Sequence, residues 1–319
     1  MEEQNIETNP KPEKKENPIL NVVKGITLGI SAAIPGLSAG TIAIAERCYD
    51  PIIHAVSDLK KSFKKNFLLL LPYVIGLILG ALAALIGIQR GYQAAPFTLT
   101  GLFAGLVIGS LPVAISELRK GKTSSEKLHH ILPFILCLLI AAGLGLVTAL
   151  CKVDLEAYLR AREWWMYLFI VFAGFLAAGA CIVPGISGSM SLMVIGMYLP
   201  ILNTYTGNDS IFHSGDTMTI VTGLILALLL VIGALIGILV SSKVMNSLLT
   251  KHRVSTFYGI LGLILGSIFS MFMNSTMYPK YTEGSIKTWD YIVGSVLLVL
   301  ALIGMFFFCR YTEKKKKEA

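Results

Sequence analysis

Long apolar runs alternate with short polar connections along most of the chain. Two of the clearest runs, 66–88 and 218–242, contain no charged side chain. At 1.5 Å per residue, a helix of about 20 residues crosses a hydrocarbon layer of ~30 Å. The pattern predicts six uninterrupted transmembrane helices, at about 66–88, 97–116, 131–151, 218–242, 255–273 and 289–309.

Two further apolar segments, 19–54 and 164–205, are interrupted near the middle by Pro-Gly pairs, Pro35-Gly36 and Pro184-Gly185. Proline removes a backbone donor and glycine permits a reversal, so each pair predicts a break in a helix. Either each segment crosses the membrane once, or each forms a hairpin that enters and leaves on the same side.

The broken segments belong to an internal repeat. Residues 25–53 align without gaps on 174–202, at an offset of 149 that superposes Tyr49 on Tyr198. The match resumes at an offset of 157, where Gly109-Ser110 meets Gly266-Ser267. The sequence therefore predicts a tandem duplication in which each copy has one broken segment followed by three spans.

The distribution of lysine and arginine selects between the two arrangements of the broken segments. If both are hairpins, 21 of the 27 basic residues lie on one side, and the rest are Arg90, Lys152, Arg160, Arg162, Lys280 and Lys287. Single crossings would divide the basic clusters between both sides, against the positive-inside tendency. Three crossings per copy are an odd number, so the two copies have opposite orientations, as in many transporters.

The expected fold is an all-α polytopic membrane protein with two inverted-topology repeats, each a Pro-Gly-broken, re-entrant hairpin plus three transmembrane helices. We expect a disordered cytoplasmic tail at 1–17, the first repeat at 18–155, the second at 160–311 and a basic cytoplasmic tail at 312–319. The two repeats form one integrated membrane domain, and both termini are cytoplasmic.

Composition agrees with a membrane protein and argues against other classes. Charged residues make up 14% of the chain, against about a quarter in soluble domains. The net charge of +8 arises from clusters between spans, which indicates membrane orientation and not nucleic-acid binding. The five cysteines and the histidines show no metal-ligand spacing, so we expect no metal and no cofactor.

The residues after each break are small or carry hydroxyls and suit the first turn of a new helix. Amide groups there lack helical partners and attract anions, phosphate above all. A simple kink is the other interpretation, but two equivalent copies favour an anion site near the membrane midplane. The candidate phosphate ligands are Gly36, Ser38, Gly40, Thr41, Gly185, Ser187, Gly188 and Ser189, with Pro35 and Pro184 as the helix breakers.

Glu46 and Arg47 are charged residues within the first broken segment. A charge near the membrane centre costs about 2.5–3.5 kcal/mol on insertion scales, so its presence there indicates a function. In that interpretation Arg47 holds a phosphate and Glu46 couples transport to a proton or sodium ion. In the other, the pair lies at the cytoplasmic interface and has no part in binding.

The paired motifs, PGLSAGTIAIAERCYDP at 35–51 and PGISGSMSLMVIGMYLP at 184–200, resemble those of the bacterial and archaeal polyprenyl-phosphate transporter family. Ala39 stands where that family usually has glycine, and Glu46-Arg47 replaces an apolar-Gly pair, so no family role is carried onto those two charges. The resemblance implies a flippase in the bacterial cytoplasmic membrane that returns undecaprenyl phosphate from the outer to the inner leaflet for cell-envelope synthesis.

The expected partners are therefore the polyprenyl-phosphate lipid and the bilayer, with a coupling ion. The alternative from another class is a channel or permease for a small soluble anion. A membrane lipid-phosphate enzyme is the least favoured class, because no predicted span contains histidine and Glu46 is the only acidic residue placed deep in the membrane.

Overall fold

The computed structural model describes residues 17–58, 61–119, 127–151, 154–182, 186–207, 215–274 and 277–318. Within these ranges all regular structure is helical. The helices are α1 (Pro18–Ala33), α2 (Ala39–Ala45), α3 (Tyr49–Ser57), α4 (Phe63–Ala94), α5 (Pro96–Arg119), α6 (Lys127–Leu150), α7 (Leu155–Arg160), α8 (Trp164–Ala180), α9 (Gly188–Val194), α10 (Tyr198–Thr206), α11 (Thr217–Lys251), α12 (Arg253–Phe272), α13 (Met277–Thr282) and α14 (Thr288–Glu318).

Six helices are long and apolar enough to cross a membrane: α4, α5, α6, α11, α12 and α14. They coincide with the six spans predicted from the apolar runs. Large apolar side chains such as Leu68, Leu139 and Leu228 are exposed on their surfaces, as expected where lipid surrounds the protein. The chain is thus an all-α, multi-pass membrane protein, as predicted. Most of the expected N-terminal tail, residues 1–16, lies outside the described residues.

The order of elements repeats along the chain. The offset of 149 that aligns the two sequence copies carries the bounds of α2 onto α9 and those of α3 onto α10. Three long helices follow each set: α4, α5 and α6 in the first half, and α11, α12 and α14 in the second. The Pro-Gly-broken segment is therefore three helices, one of 16 or 17 residues and two short ones.

Glycines hold the first helix of each half against the first long helix. A side chain on Gly29 would overlap the carbonyl oxygen of Leu77, and one on Gly25 would lie 2.9 Å from the Cα of Gly76. Such close backbone approach is typical of packing between membrane helices. The residue numbers of the facing positions increase together along both helices, so α1 and α4 run parallel. In the second half Val171 faces Gly233 and Phe175 faces Gly237, so α8 and α11 are parallel too.

The remaining long helices are exchanged between the halves. Gly101, Gly105 and Gly109 of α5 face Gly294, Leu298 and Leu302 of α14. Gly262 and Gly266 of α12 face Phe134 and Leu138 of α6. In both pairs the facing positions again rise together, so the paired helices run parallel. The middle helix of each half therefore packs on the last helix of the other half.

A buried carboxylate joins the halves at one end of this exchange. Asp290 in α14 is only 2% exposed. Its two oxygens accept hydrogen bonds from the amides of Phe97, at 3.1 Å, and Thr98, at 2.8 Å, in the first turn of α5. A negative charge is favoured at a helix N-terminus, and hydrogen bonds to a charged group are stronger than neutral ones. The carboxylate of the second half thus caps a helix of the first.

We expect Asp290→Ala to lower the stability of the folded protein by roughly 2–3 kcal/mol, because two buried amides lose a charged acceptor. The stability of Asp290→Asn should lie between those of Asp290→Ala and wild type, since the asparagine amide keeps one acceptor oxygen. The measurement is the apparent melting temperature of the purified protein in detergent.

The matched control is Asp216→Ala. Asp216 caps α11 in the same way, accepting from the amides of Met218 and Thr219, but it is exposed and water can replace it. Equal losses for the two variants would contradict a special contribution from the buried cap.

Candidate functional site

The first break is a tight turn that packs against the backbone of α5. Helix α1 ends at Ala33, and Gly36 follows in the left-handed region with φ +88°. A Cβ at Gly36 would lie 2.7 Å from the amide nitrogen of Val107. Only glycine fits this position without moving α5, both in conformation and in space. The N-cap of the next helix is Ser38, which makes no side-chain capping bond.

The second break has the same construction where the structure describes it. Pro184 and Gly185, predicted as a helix breaker and a phosphate ligand, lie outside the described residues. Helix α9 begins at Gly188 after the N-cap Ser187, whose φ and ψ of −105° and 144° resemble the −104° and 121° of Ser38. A Cβ on Gly188 would come within 2.6 Å of the carbonyl oxygen of Ala177, so α9 starts in direct contact with α8.

The two breaks meet at one small cavity of about 20 Å³. Its walls carry the predicted residues Gly36, Ser38, Thr41 and Ser187, together with Leu37, Ile186, Ser110, Val113, Met305 and Cys309. This volume accommodates about one water molecule. Sequence positions 149 residues apart have thus been brought to the same point inside a helical membrane protein. We call this space the break cavity.

Hydroxyl groups are the main polar side chains around the break cavity. The Oγ atoms of Ser187 and Ser189 lie 2.8 Å apart, and both residues are buried. On α5, Ser110 donates a hydrogen bond to the carbonyl of Val107 within its own helix. Hydroxyls can both donate and accept, so they can turn toward an anion without leaving a buried group unsatisfied.

Leu37 and Ile186 lie within the two sequence motifs, but four other lining residues lie outside them and were not predicted: Ser110 and Val113 of α5, and Met305 and Cys309 of α14. Ser110 carried a signal, because Gly109-Ser110 matches Gly266-Ser267 at the second offset of the repeat. Met305 and Cys309 carried none, since α14 reaches the break cavity only through its pairing with α5.

Other predicted site residues lie near the break cavity without lining it. Gly40 has open space at its Cβ position, with only the Oγ of Ser38 within 4 Å, at 3.7 Å. Gly188 contacts α8, and Ser189 reaches the cavity wall through its hydrogen bond to Ser187. Among the residues that the structure describes, no group of three or more His, Cys, Asp or Glu could hold a metal ion.

Glu46 and Arg47 occupy the end of α2 and do not line the break cavity. One carboxylate oxygen of Glu46 accepts a 2.6 Å hydrogen bond from Thr27 of α1. The other oxygen is buried and has no partner among the described residues. Arg47 is exposed and left-handed, with φ +57°, where the second half has Gly196 at φ +74°. Its role as a phosphate ligand therefore stays a prediction.

The two halves differ in how tightly their short helices are packed. The hydroxyl of Tyr198 donates a 2.9 Å hydrogen bond to the carbonyl of Ala33, the last residue of α1, and the tyrosine is 5% exposed. Its counterpart in the first half, Tyr49, is 41% exposed. Helices α9 and α10 are thus embedded in the main core, while α2 and α3 lie closer to the surface.

Comparison with known proteins finds a family model and named relatives to which the chain is similar. A family model described as undecaprenyl phosphate translocase-like matches residues 28–289. A relative from Staphylococcus aureus named polyprenyl-phosphate transporter is 29% identical over 262 residues, which cover 79% of this chain and 86% of the relative. A protein of the same name from Vibrio cholerae is 27% identical over 271 residues, covering 80% and 78%. No solved structure matches the chain.

The geometry of the first break predicts opposite effects for two glycine substitutions. Gly36→Ala should destabilise the protein by roughly 1–3 kcal/mol, because its φ is positive and its Cβ would meet the α5 backbone. Gly40→Ala has space and lies inside α2, so it should be neutral or stabilise by up to about 1 kcal/mol. Apparent melting temperatures in detergent test both predictions. Equal losses of stability in the two variants would contradict the tight packing of Gly36 against α5.

Proposed function

Because the chain belongs to the undecaprenyl phosphate translocase-like family, as its paired motifs predict, we propose that it moves a polyprenyl phosphate across the bacterial cytoplasmic membrane. In this proposal the lipid carrier returns from the outer to the inner leaflet for reuse in cell-envelope synthesis. The observation that carries the proposal is the meeting of two equivalent helix breaks at one hydroxyl-lined cavity.

The phosphate headgroup is held between the breaks while the isoprenoid tail stays in lipid. The first-turn amides of α2 and α9 lack helical partners, and the hydroxyls of Ser38, Thr41 and Ser187 lie beside them. Both helices have seven residues, so their dipoles are short and the amides and hydroxyls provide most of the attraction. Irregular backbone at membrane depth is tolerated when it lines such a cavity.

Helix directions support the hairpin arrangement of the broken segments. Helix α1 has 16 residues, about 24 Å, which is less than the ~30 Å hydrocarbon layer. Because α1 and α4 run parallel with Gly25 level with Gly76, the chain has returned by Phe63 to the level at which α1 began. These helix directions support a segment that enters the membrane and returns to the same side, as a re-entrant hairpin does.

The same helix directions support inverted repeats. Consecutive spans joined by short connections, such as α4–α5 and α11–α12, cross in opposite directions. Since α14 is parallel to α5 and α12 is parallel to α6, α11 must run opposite to α4. Corresponding helices of the two halves then point in opposite directions, as in many secondary transporters. The lysine and arginine distribution favours a cytoplasmic location for both termini.

Transport requires the breaks to separate, because the break cavity holds about one water and not a phosphate. We propose that the structure is one of two states, in each of which the break cavity is closed toward one side of the membrane. On the side of Tyr198, α9 and α10 seal the cavity. On the side of Tyr49, α2 and α3 are loosely packed. Exchange of these two arrangements by the inverted halves would open the cavity to each leaflet in turn.

Glu46 is the proposed coupling residue. Moving one negative charge inward against an inside-negative potential costs about 2.3 kcal/mol per 100 mV, so a cation must offset it. The buried, unpartnered carboxylate oxygen of Glu46, held on α1 through Thr27, is a place where a proton or sodium ion can bind. This assignment rests on the burial of that oxygen and on the hydrogen bond that joins Glu46 to α1, the helix that ends at the first break.

The test of the proposed function is transbilayer movement of a polyprenyl phosphate in liposomes containing the purified protein. Ser38→Ala together with Ser187→Ala should reduce the rate at least tenfold, because two hydroxyls of the break cavity are lost. The control is Ser31→Ala with Ser267→Ala. Both control serines are buried, and each bonds a carbonyl of its own helix away from the cavity. Movement of inorganic phosphate, but no lipid, by wild type would assign the alternative function of a small-anion permease.

The exchange of states predicts opposite effects for two tyrosine substitutions. Tyr198→Phe removes a buried hydrogen bond of about 1 kcal/mol that holds the state seen here, so the ratio of this state to the opposite one should fall roughly fivefold. Tyr49→Phe should favour the state seen here, because the offset of 149 pairs its hydroxyl with the carbonyl of Ile182 in the opposite state.

The readout is maleimide labelling from each side of the membrane, in a variant that retains only Cys309 in the wall of the break cavity. Changes of the same sign for the two tyrosine variants would contradict the exchange.

A further inference from the structure

A second, larger cavity lies away from the break cavity, where α7, α10 and the start of α11 meet. Its volume is about 270 Å³. Its polar wall includes Arg160, Arg162, Thr204 and Thr222, and its apolar wall includes Leu159 and Leu226. Ligand sites for small molecules begin near this size, so it has room for a phosphate headgroup, which the break cavity lacks in this conformation.

The cavity lies at the depth of lipid headgroups. Helices α8 and α11 run parallel with Val171 facing Gly233, which places Trp164 about level with Leu226 in the cavity wall. Trp164 is 73% exposed at the start of α8, and tryptophan is typical of the membrane interface. On α11, Leu224 and Leu228 are exposed beside the cavity, as expected for a surface in contact with lipid tails.

Arg162 is the cation available to a ligand there. It follows α7 and has φ +58°, a conformation that costs a non-glycine residue about 1–2 kcal/mol. Its guanidinium makes no side-chain hydrogen bond to another residue in the part of the chain that is described. Glycine would adopt this left-handed backbone conformation without the cost that arginine bears. An arginine at this position, at the rim of a polar cavity, therefore indicates that its side chain is functional.

The acidic groups around the cavity are already engaged. Glu156 accepts hydrogen bonds from Arg160, at 2.9 Å, and from Asn203, at 2.7 Å, one on each oxygen. Asp216, which lies close enough for the charge of Arg162 to act on it, accepts hydrogen bonds from the amides of Met218 and Thr219 at the start of α11. The hydrogen bonds from Thr219 hold the pKa of Asp216 below its ordinary value, so it remains a cap of its own helix. Among the described residues, a bound anion would therefore meet Arg162 without breaking a hydrogen-bonded ion pair.

We propose that this cavity binds the phosphomonoester headgroup of a lipid, with Arg162 as its cation and the tail lying over Leu159 and Leu226 toward the exposed face of α11. This deepens the proposed function and rests on it. In the proposed topology the cavity opens on the outer leaflet, where it collects the lipid before the break cavity opens. A narrow apolar crevice lined by Leu159, Ile201 and Leu230 continues from its floor.

The test is equilibrium binding of radiolabelled farnesyl phosphate to the full chain in phosphatidylcholine nanodiscs, with empty nanodiscs as the blank. Arg162→Gly should weaken binding about tenfold or more, since one hydrogen-bonded ion pair is lost. Its melting temperature should not fall, because glycine suits the left-handed backbone. Arg162→Gln, which keeps a side chain of similar length without the charge, should give a similar loss of affinity.

Competitors identify the source of the phosphate. Displacement of farnesyl phosphate only by other lipid phosphates would assign the site to the lipid. Displacement by inorganic phosphate at equal concentration would assign the same site to free phosphate. Equal displacement by farnesol, or wild-type affinity in both Arg162 variants, would overturn the proposal.

The binding measurement is independent of transport. Ser31→Ala with Ser267→Ala should keep farnesyl phosphate affinity within about twofold of wild type, because those buried serines bond carbonyls of their own helices and line neither cavity. If wild-type liposomes move no lipid while Arg162 still governs binding, the proposed function fails and the binding site stands. If transport holds while the Arg162 variants bind normally, only the binding site fails.

Discussion

Inside a hydrocarbon layer, a backbone amide or carbonyl that lacks a hydrogen-bond partner costs several kcal/mol, and a helix break creates several such groups at once. Two breaks in one membrane domain are stable only when other helices cover them and give them polar neighbours. The rest of the architecture meets this requirement. The break at Gly36 lies against the backbone of α5, the start of α9 lies against α8, and α14 completes the wall. Glycine seams make such close approach feasible, since a Cβ at those positions would overlap a neighbouring backbone.

Much of this arrangement could be predicted from the sequence, because its signals are local. Apolar runs without charge locate the six spans, Pro-Gly pairs locate the breaks, and a constant offset relates the two halves. What could not be predicted depends on contacts between distant segments. The pairing of α5 with α14 brings Met305 and Cys309 to the break cavity, and no local pattern marks them. Arg47 illustrates the opposite limit: its nearness in sequence to the first break predicts a ligand, the cavity wall in this structure does not include it, and its role stays a prediction.

The two halves have separated in chemistry while keeping the same backbone plan. After α9, Gly196 takes a left-handed conformation at little cost, and after α2 Arg47 takes it at a higher one. Tyr198 is buried against α1 while Tyr49 is exposed. The two halves of the proposed transporter are therefore unequal, and these positions are among those where they differ. The proposed headgroup site around Arg162 is another difference between the halves, because Arg162 lies beside helices of the second half.

The exchange of α14 and α6 between the halves bears on how such a chain could arise. Neither half contains a partner for its own middle helix, so a chain of half this length could complete its packing only by pairing with a second copy. In the proposed inverted arrangement, the second copy would have to insert into the membrane in the opposite orientation. A single sequence can insert both ways only if the charges in its loops favour neither orientation. Joining two copies end to end would remove the need for one sequence to insert in both orientations. Each copy would then be free to gather positive charge on its own cytoplasmic side and to change its own face of the cavity.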